Sequence, residues 1–501
     1  DRIMEITSDG KMKVSFDYGI SGDNSIDLSV PKKPGYEMLG WYDANGDLIV
    51  TVDSKDRHAY ITDKNNYWQK DGNNVKWNYA DDLVLTAKFR CKYTVEDAGN
   101  GPIIKFDNEI VEPDQDWLSS VIRDLQGAAK EVGTPENPVM AFDLRTSKNI
   151  WTGNKFARLN VMESLQSEEY KDYISPNVLV YFNDNESEAW YIDGDKPEYQ
   201  GRNDADCYNA VSLDNKCRNL VVTDRYLIKI PYEFKAGKAL YERNKYQINT
   251  DDPMWVQSHE SMWGTLCLPY PVKNNNKHNL AQPWEEEKLD CHVVFYELRR
   301  QSGNVMQFYK LPEDAVIPAN TPVMYDRRVG VSSAVIIEEV SEDVSTPSIT
   351  VPMNRTYAAE TKTYDKAILN TEYDWQFIGN MEETTFYGKN CKSRPAGVIG
   401  ETKDVIYYFK KDNFTRMGDA NYMILYPYRA YFREVGAANS DSKVASYSIL
   451  VIDDEGATDI TNAIFGDGEG DGKIYDLNGV RVKQPVRGRL YIVNGKKKVY
   501  E

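Results

Sequence analysis

The sequence predicts a mainly β, multidomain protein with one clear helix, and three observations predict it. Of 501 residues, 35 are tyrosine and 12% are aromatic. Tyr, Val, Ile and Thr fit the half-buried surface of a pleated sheet. Apolar residues come in short runs cut by Gly, Pro and Asn or Asp, which is strand-and-turn punctuation. Only residues about 114–133 carry apolar side chains at helical spacing over several turns. The length fits about three or four domains, and with 41% hydrophobic residues each can bury a core.

The charge balance narrows the partners. Lys plus Arg number 60 and Asp plus Glu 78, a net charge of −18. Such a field repels phosphate backbones and anionic lipid surfaces, so no nucleic-acid partner is expected. The densest basic run, Lys496 to Lys498, reads as a solvated strand end. No apolar run reaches membrane-spanning length, so no membrane-spanning segment is expected. No signal-peptide pattern is present, and Asp1 is not a translation start, so the chain reads as a processed one.

Residues 1–90 form the first expected module. Lys13 to Phe16 reads as a strand. In VPKKPGYEMLGWYDANGD (30–47), Pro34-Gly35 makes a turn, and Tyr36, Met38 and Gly40 alternate on one strand face. Trp41 supplies the large buried area that a small domain needs. DDLVLTAKF (81–89) closes the unit, and residues 11–89 are expected to fold alone. Pro31, Pro34, Gly35, Tyr36, Gly40, Trp41, Tyr42, Leu85 and Ala87 match the pattern of the Listeria–Bacteroides repeat, which the unit resembles. Met38 and Phe89 replace that family's usual Phe and Trp. The resemblance implies a β-grasp-like module. The stretch 50–79 is longer than usual for the family. Its Tyr60, Tyr67, Trp68, Trp77 and Tyr79 either complete a small core or present a sugar- or protein-binding face.

Residues 91–176 read as a mixed α/β linking region. Residues 90–110 look like a strand pair. In the helix at 114–133, Trp117, Val121, Leu125, Ala128, Ala129 and Val132 form one stripe that must lie on something, most simply a sheet. Asp114 or Asp116 can cap its start, Gly133 suits a left-handed stop, and Pro135 follows. VMAFDL (139–144) reads as a strand, and SLQSEEYKDYI as a polar helical stretch.

Residues 177–460 read as a β-sandwich-like module. Its strand runs are NVLVYF (177–182), RNLVVTD (218–224), IPYEFKAGKALYERN (230–244), MWGTLCLPYPV (262–272), HVVFYEL (292–298), VIPANTPVMY (316–325), YPYRAYFR (426–433) and SYSILVIDDEGATDI (446–460). Pro269, Pro271, Pro318 and Pro322 sit at run ends, where a missing ladder donor is tolerated. FYKLPEDAVIPANTPVMY and YYFKKDNFTRMGDANYMILYPYRAYF echo each other. The echo hints at two similar half-sheets but is too loose to count as a repeat. Asn439 to Lys443 is a polar break, and 461–473, with GDGEGDG, is an acidic Gly-rich linker. In 474–501, IYDL and LYIV surround Asn478-Gly479 and Asn494-Gly495, the turn chemistry of a hairpin. The order of these segments resembles a large module of Bacteroidales surface proteins, and the last segment resembles their type A sorting domains. The resemblance implies an extracellular, cell-surface or outer-membrane-associated protein.

No motif carries chemistry. The six cysteines form no CxxC. They read as buried thiols, with Cys207 and Cys217 the best-placed pair for a disulfide. The four histidines, His58, His259, His278 and His292, form no HExxH. Cys291 and His292 are neighbours on a strand and so point to opposite faces. Asp467, Glu469, Asp471 and Gly472 match the start of a calcium loop, but Asn478 stands where its bidentate acid belongs, so an acidic linker is the expectation. No GxSxG, GxGxxG or phosphate loop occurs. Acid pairs such as Glu168-Glu169 and Glu285 to Glu287 read as solvated faces. Among Trp255, Trp263, Trp284 and Trp375, Trp263 reads as core and Trp284 as exposed. The expectation is therefore no catalytic residue, no cofactor and no metal ligand. The protein is expected to be a non-enzymatic adhesion or ligand-binding protein whose partner is a host or bacterial surface protein or glycan. A polysaccharide-binding or glycan-processing protein, with at least two exposed rings on a platform, is the alternative; a structural stalk is another.

Overall fold

The computed structural model is mainly β, with 50% of the described residues in strands and 10% helical. It describes the chain apart from residues 1–2, 7–10, 16–32, 53–58, 62–67, 72–73, 78–82, 107–116, 148–156, 184–206, 245–262, 275–291, 329–333, 343–345, 357–358, 370, 402, 411–412, 438–443, 453–473, 476–489, 494–495 and 500–501. Two compact units result. The first contains 1–221, 228–237 and 342–348; the second contains 222–227, 238–341 and 349–501.

The first unit begins with an antiparallel sheet. It is built from β1 (Ile3–Ile6), β2 (Lys11–Ser15), β3 (Tyr36–Tyr42), β4 (Leu48–Val52), β5 (Ala59–Ile61) and β8 (Leu83–Cys91), in the order β1-β2-β8-β3-β4-β5. β6 (Trp68–Asp71) and β7 (Asn74–Trp77) form a separate hairpin in which Trp68 and Trp77 are paired positions. Trp41 is core, 2% exposed, as expected. The expected alternation along β3 does not hold. A bulge between Met38 and Gly40 turns both Gly40 and Trp41 inward, with Gly40 at φ +132° and Val50 O where a Cβ would sit.

Next comes a βαβαβ run. β9 (Tyr93–Glu96) hairpins into β10 (Ile103–Phe106). β10, β11 (Val139–Asp143), β12 (Ile174–Tyr181) and β13 (Ala210–Val211) are parallel neighbours, with α1 (Trp117–Val132) and α2 (Ala157–Leu165) in the crossovers. β14 (Lys216–Thr223) then returns antiparallel. The expected stripe of α1 is buried: Val121, Leu125, Ala128 and Ala129 share one core with Ile104, Phe142 and Val180. Gly133 stops the helix for a different reason from the expected one. It is not left-handed; its N–H donates to Ala129 O at 2.7 Å, and a Cβ would collide with Tyr173 O. The expected caps Asp114 and Asp116 lie outside the described residues. The Pro34-Gly35 turn lies on α1: Pro34 packs on Gly127, and Gly35 N–H donates to Asp124 Oδ1 at 2.8 Å. The hydroxyls of Tyr36 and Tyr93 both donate to Glu131, at 2.6 and 2.9 Å.

In the second unit, β15 (Phe234–Asn244) pairs from Lys238 onward with β22 (Ala334–Val340). The larger part is one curled sheet. Its strands are β16 (Trp263–Leu266), β18 (His292–Ser302), β19 (Val305–Lys310), β21 (Val323–Arg328), β24 (Thr361–Tyr364), β25 (Trp375–Asn380), β27 (Val405–Lys410), β28 (Asn413–Arg416), β30 (Arg429–Glu434) and β31 (Ser446–Ile452). Their order is β16-β21-β18-β19-β31-β28-β27-β30-β25-β24. Two ribbons accompany it: β17 (Val272–Lys273) with β20 (Val316–Ile317), and β26 (Thr384–Tyr387) with β29 (Tyr422–Leu425). β23 (Ile349–Val351) precedes β24. The sheet curls until β16 meets β30: Thr265 Oγ1 accepts from Ala430 N and donates to Ala430 O, both at 2.9 Å. The four prolines lie between strands, as expected.

This sheet contains the same fold twice. β16 to β21 and β25 to β30 have the same strand order, the same hairpin and the same ribbon. The registers agree residue by residue. Trp263 and Val294 face Asp326 as Trp375 and Val405 face Glu434. Tyr296 faces Met324 as Tyr407 faces Phe432, and Leu298 faces Phe308 as Phe409 faces Phe414. Even the backbone specials repeat. Asn320 (φ 59°) and Tyr428 (φ 63°) are equivalent, and their N–H groups donate to the equivalent Leu268 O and Asn380 O. The shared interior is aromatic: Trp375 stacks on Tyr407 at 5.2 Å, and the equivalent rings Phe308 and Phe414 stack at 5.9 Å. At the C-terminus, β32 (Ile474–Tyr475), β33 (Leu490–Val493) and β34 (Lys496–Val499) form a small sheet. Val493 pairs with Lys496 across the expected Asn494-Gly495 turn.

Candidate functional site

The site grows from the second ribbon. β29 alternates strictly: Met423 and Leu425 are buried, Tyr422 and Ile424 are exposed at 54% and 42%. The buried side, with Phe386 of β26, packs on Ile406 and Tyr431 of the curled sheet. That packing leaves the other face to solvent. Tyr387 pairs with Tyr422 there, ring centroids 6.1 Å apart and tilted by 33°, and Thr385 pairs with Ile424. The result is a two-ring platform held on a rigid ribbon.

A small charged crevice of about 20 Å³ opens one residue along the chain from Tyr387. Gly388 N–H donates to Asn421 O at 2.9 Å, and Glu401 N–H donates to Tyr387 O at 2.8 Å, so the 388–401 loop leaves and returns at the ribbon's end. Gly388 lies so close to Asp419 O that no side chain fits. In the crevice, Asp419 pairs with Lys389 and Arg416, both at 3.2 Å. Behind it Arg433 lies 3.7 Å from Glu401 and 3.6 Å from Asp404. Three cations thus face three carboxylates. Arg416 Nε and Arg433 Nε have no hydrogen-bond acceptor. Chemically, the ribbon offers two aromatic rings on its outer face, and its end adjoins a crevice of paired donors and acceptors.

The residues singled out from the sequence fall elsewhere. Trp375 is fully buried, and Trp263 packs half-buried on the same core. Cys207 and Cys217 are both buried thiols; Cys217 Sγ lies 3.2 Å from Asn219 O instead of in a disulfide. Glu168 and Glu169 are solvated, paired with Lys171 and Lys130. His292 opens β18. Tyr60 and Trp68 with Trp77 lie on β5 and the β6–β7 hairpin. Tyr67, Tyr79, Trp255, Trp284, Cys291, the other three histidines, Glu285 to Glu287, and Asp467, Glu469, Asp471, Gly472 and Asn478 lie outside the described residues. Among the described residues, no group of three or more His, Cys, Asp or Glu could hold a metal ion, and no helix is long and apolar enough to cross a membrane.

Two buried polar clusters belong to the architecture. In the first unit, Arg145 forks onto Asp143 at 2.9 Å and covers the Tyr232 ring at 3.6 Å. Burial opposes the Asp143 charge, but the guanidinium wins and holds its carboxyl below the usual range. In the second unit, Arg429 forks onto Asp224 at 2.7 and 2.8 Å and donates to Tyr241 Oη at 3.0 Å. There too desolvation is outweighed by the arginine, and the Asp224 carboxyl is held low.

Tyr387, Tyr422, Lys389, Arg416 and Asp419 were missed from the sequence. Their one signal was the echo between the two halves, because aligning the repeats would have shown Asn275 and Asp314 where the second copy has tyrosines. No family model, curated protein or solved structure matches this chain.

Proposed function

We propose that this is a non-enzymatic extracellular binding protein and that the outer face of the β26–β29 ribbon is its ligand-binding face. One observation carries the reading. Of two equivalent ribbons on the same curled sheet, the second pairs Tyr387 with Tyr422 on its outer face, where the first copy's sequence has Asn275 and Asp314. In the first, Asn274, the last described residue on that side, has its amide tied to Leu311 O and Pro312 O. A core does not need the tyrosine pair, since its rings point away from it. Polar groups converging beside aromatic rings are what a binding site requires. The segment order that resembles Bacteroidales surface proteins supports the extracellular setting.

The test uses the labelled full chain on bacterial and host cells and on immobilised matrix proteins and glycans. The reading expects binding to at least one surface, lost when Tyr387 and Tyr422 are both changed to Ala. Equal binding by the double variant would move the site elsewhere on the molecule.

A further inference from the structure

We infer that this face takes an uncharged carbohydrate chain; the inference rests on the binding reading above and names its ligand class. The first argument is charge. Lys389 and Arg416 are matched by Asp419 in the crevice, and Arg433 by Glu401 and Asp404 behind it. A ligand with formal charge would have to displace one of these pairs. The whole chain also carries −18, which repels polyanions at a distance.

The second argument is donor and acceptor chemistry. A sugar hydroxyl both donates and accepts, so it can bridge a carboxylate oxygen and a guanidinium N–H without disturbing either charge. Lys389 and Asp419, which line the crevice and are each about 40% exposed, are the groups that such a hydroxyl would reach. The third argument is shape. The C–H face of a pyranose ring is flat and apolar and lies well on an aromatic ring. Tyr387 and Tyr422, side by side and tilted by 33°, offer two such seats in succession. Size argues in the same direction. The exposed apolar groups are these two rings with Ile424 and, on the adjoining loop, Val398 and Ile399. That is far short of the roughly 20–30 residues a side of a stable protein interface. Lys392 and Arg394 on the same loop favour an anionic chain instead, which makes that the sharpest competing outcome.

Affinity electrophoresis of the full chain through gels containing neutral glucan, mannan or xylan tests this, with heparin and polygalacturonate as the anionic arm. The expected result is retardation by at least one neutral polymer that persists when the salt is raised severalfold. Tyr422→Ala should weaken it about tenfold, which corresponds to the stacking energy of one ring. Asp419→Asn should weaken it with the melting midpoint unchanged, because Asp419 is 40% exposed. Tyrosine-dependent binding only to the anionic polymers, abolished by salt, would keep the binding face and overturn the uncharged ligand. Retardation that ignores both tyrosines would overturn the site. Lack of retardation by every polymer, with tyrosine-dependent binding to an immobilised protein, would overturn the carbohydrate and leave the binding reading standing.

Discussion

The two copies inside the curled sheet share a fold and differ in what they show to solvent. Inside, equivalent positions keep their kind: Trp263 and Trp375, Val294 and Val405, Tyr296 and Tyr407, Phe308 and Phe414. Outside, they part. Among the described residues, the first ribbon is two residues a side, and the second is four and carries the tyrosine pair. The difference teaches where each copy was constrained. A shared core punishes any change in volume on the inner face. The outer face of a ribbon is held only by its ladder, so it is free to acquire a new use.

The largest expected effect breaks the symmetry of the core. Trp375 is fully buried against Tyr407, Tyr447 and Phe432, while the equivalent Trp263 is only half-buried on Tyr296. Trp375→Ala should cost about 3–5 kcal/mol in urea unfolding of the full chain. Trp263→Ala should cost no more than about half of that, because its ring already touches solvent. Equal costs would mean that the two copies carry the core equally, and the comparison would fail.

Next is a charge that only one copy contains. Arg429 is equivalent to Thr321. Removing its partner with Asp224→Ala leaves a buried guanidinium unpaired and should cost about 3 kcal/mol. Asp224→Ala with Arg429→Thr copies the first half and should recover part of that. The sign with pH follows from the depressed Asp224 carboxyl. Its contribution is fully present above the unfolded value near about 3.9 and is lost as pH falls through the lower folded value. The wild type should therefore lose stability in acid that the double variant does not have to lose. Parallel acid profiles for the two proteins would show that the pair adds nothing.

Legibility follows the same division between inner and outer faces. The stripe of α1, Trp41 as core and the pairing of Val493 with Lys496 were readable because local chemistry sets them. The parallel pairing of β10 to β13 was not, since a short buried run reads the same in either direction. The bulge at Gly40 and the contact that requires Gly133 depend on Val50 and Tyr173, partners remote in sequence. The duplication left a trace that looked too loose to count as a repeat, because strand order and register persisted while most side chains diverged. The candidate site was invisible for a related reason. Tyr387 and Tyr422 are 35 positions apart and only the ribbon joins them, and one tyrosine among 35 carries no mark of being exposed.

A smaller effect sits where the copies touch. Cys267 and Gly379 are equivalent positions, and a Cβ on Gly379 would run into Cys267 Sγ and Ala359 Cβ. Gly379→Ala should cost about 1–3 kcal/mol through overpacking. Adding Cys267→Ala removes one of the two obstacles, so the double variant should be more stable than the sum of the single changes predicts. Strict additivity in denaturant midpoints would mean that the two positions do not meet as drawn.

The smallest effect on stability is the most informative about use. Tyr422 is 54% exposed and points away from the Met423 and Leu425 side that packs on the sheet. Tyr422→Ala should leave the unfolding midpoint within about 0.5 kcal/mol of wild type, as surface changes do. Met423→Ala, one residue along the same strand but on the inner face, should cost about 2–5 kcal/mol, toward the low end because Met423 retains 7% exposure. If binding falls with Tyr422→Ala while stability does not, the outer face is specialised for contact and the inner for folding. If Tyr422→Ala destabilises as much as Met423→Ala, the tyrosine pair is a second small core for the ribbon. The lengthened copy would then differ from its partner in construction alone.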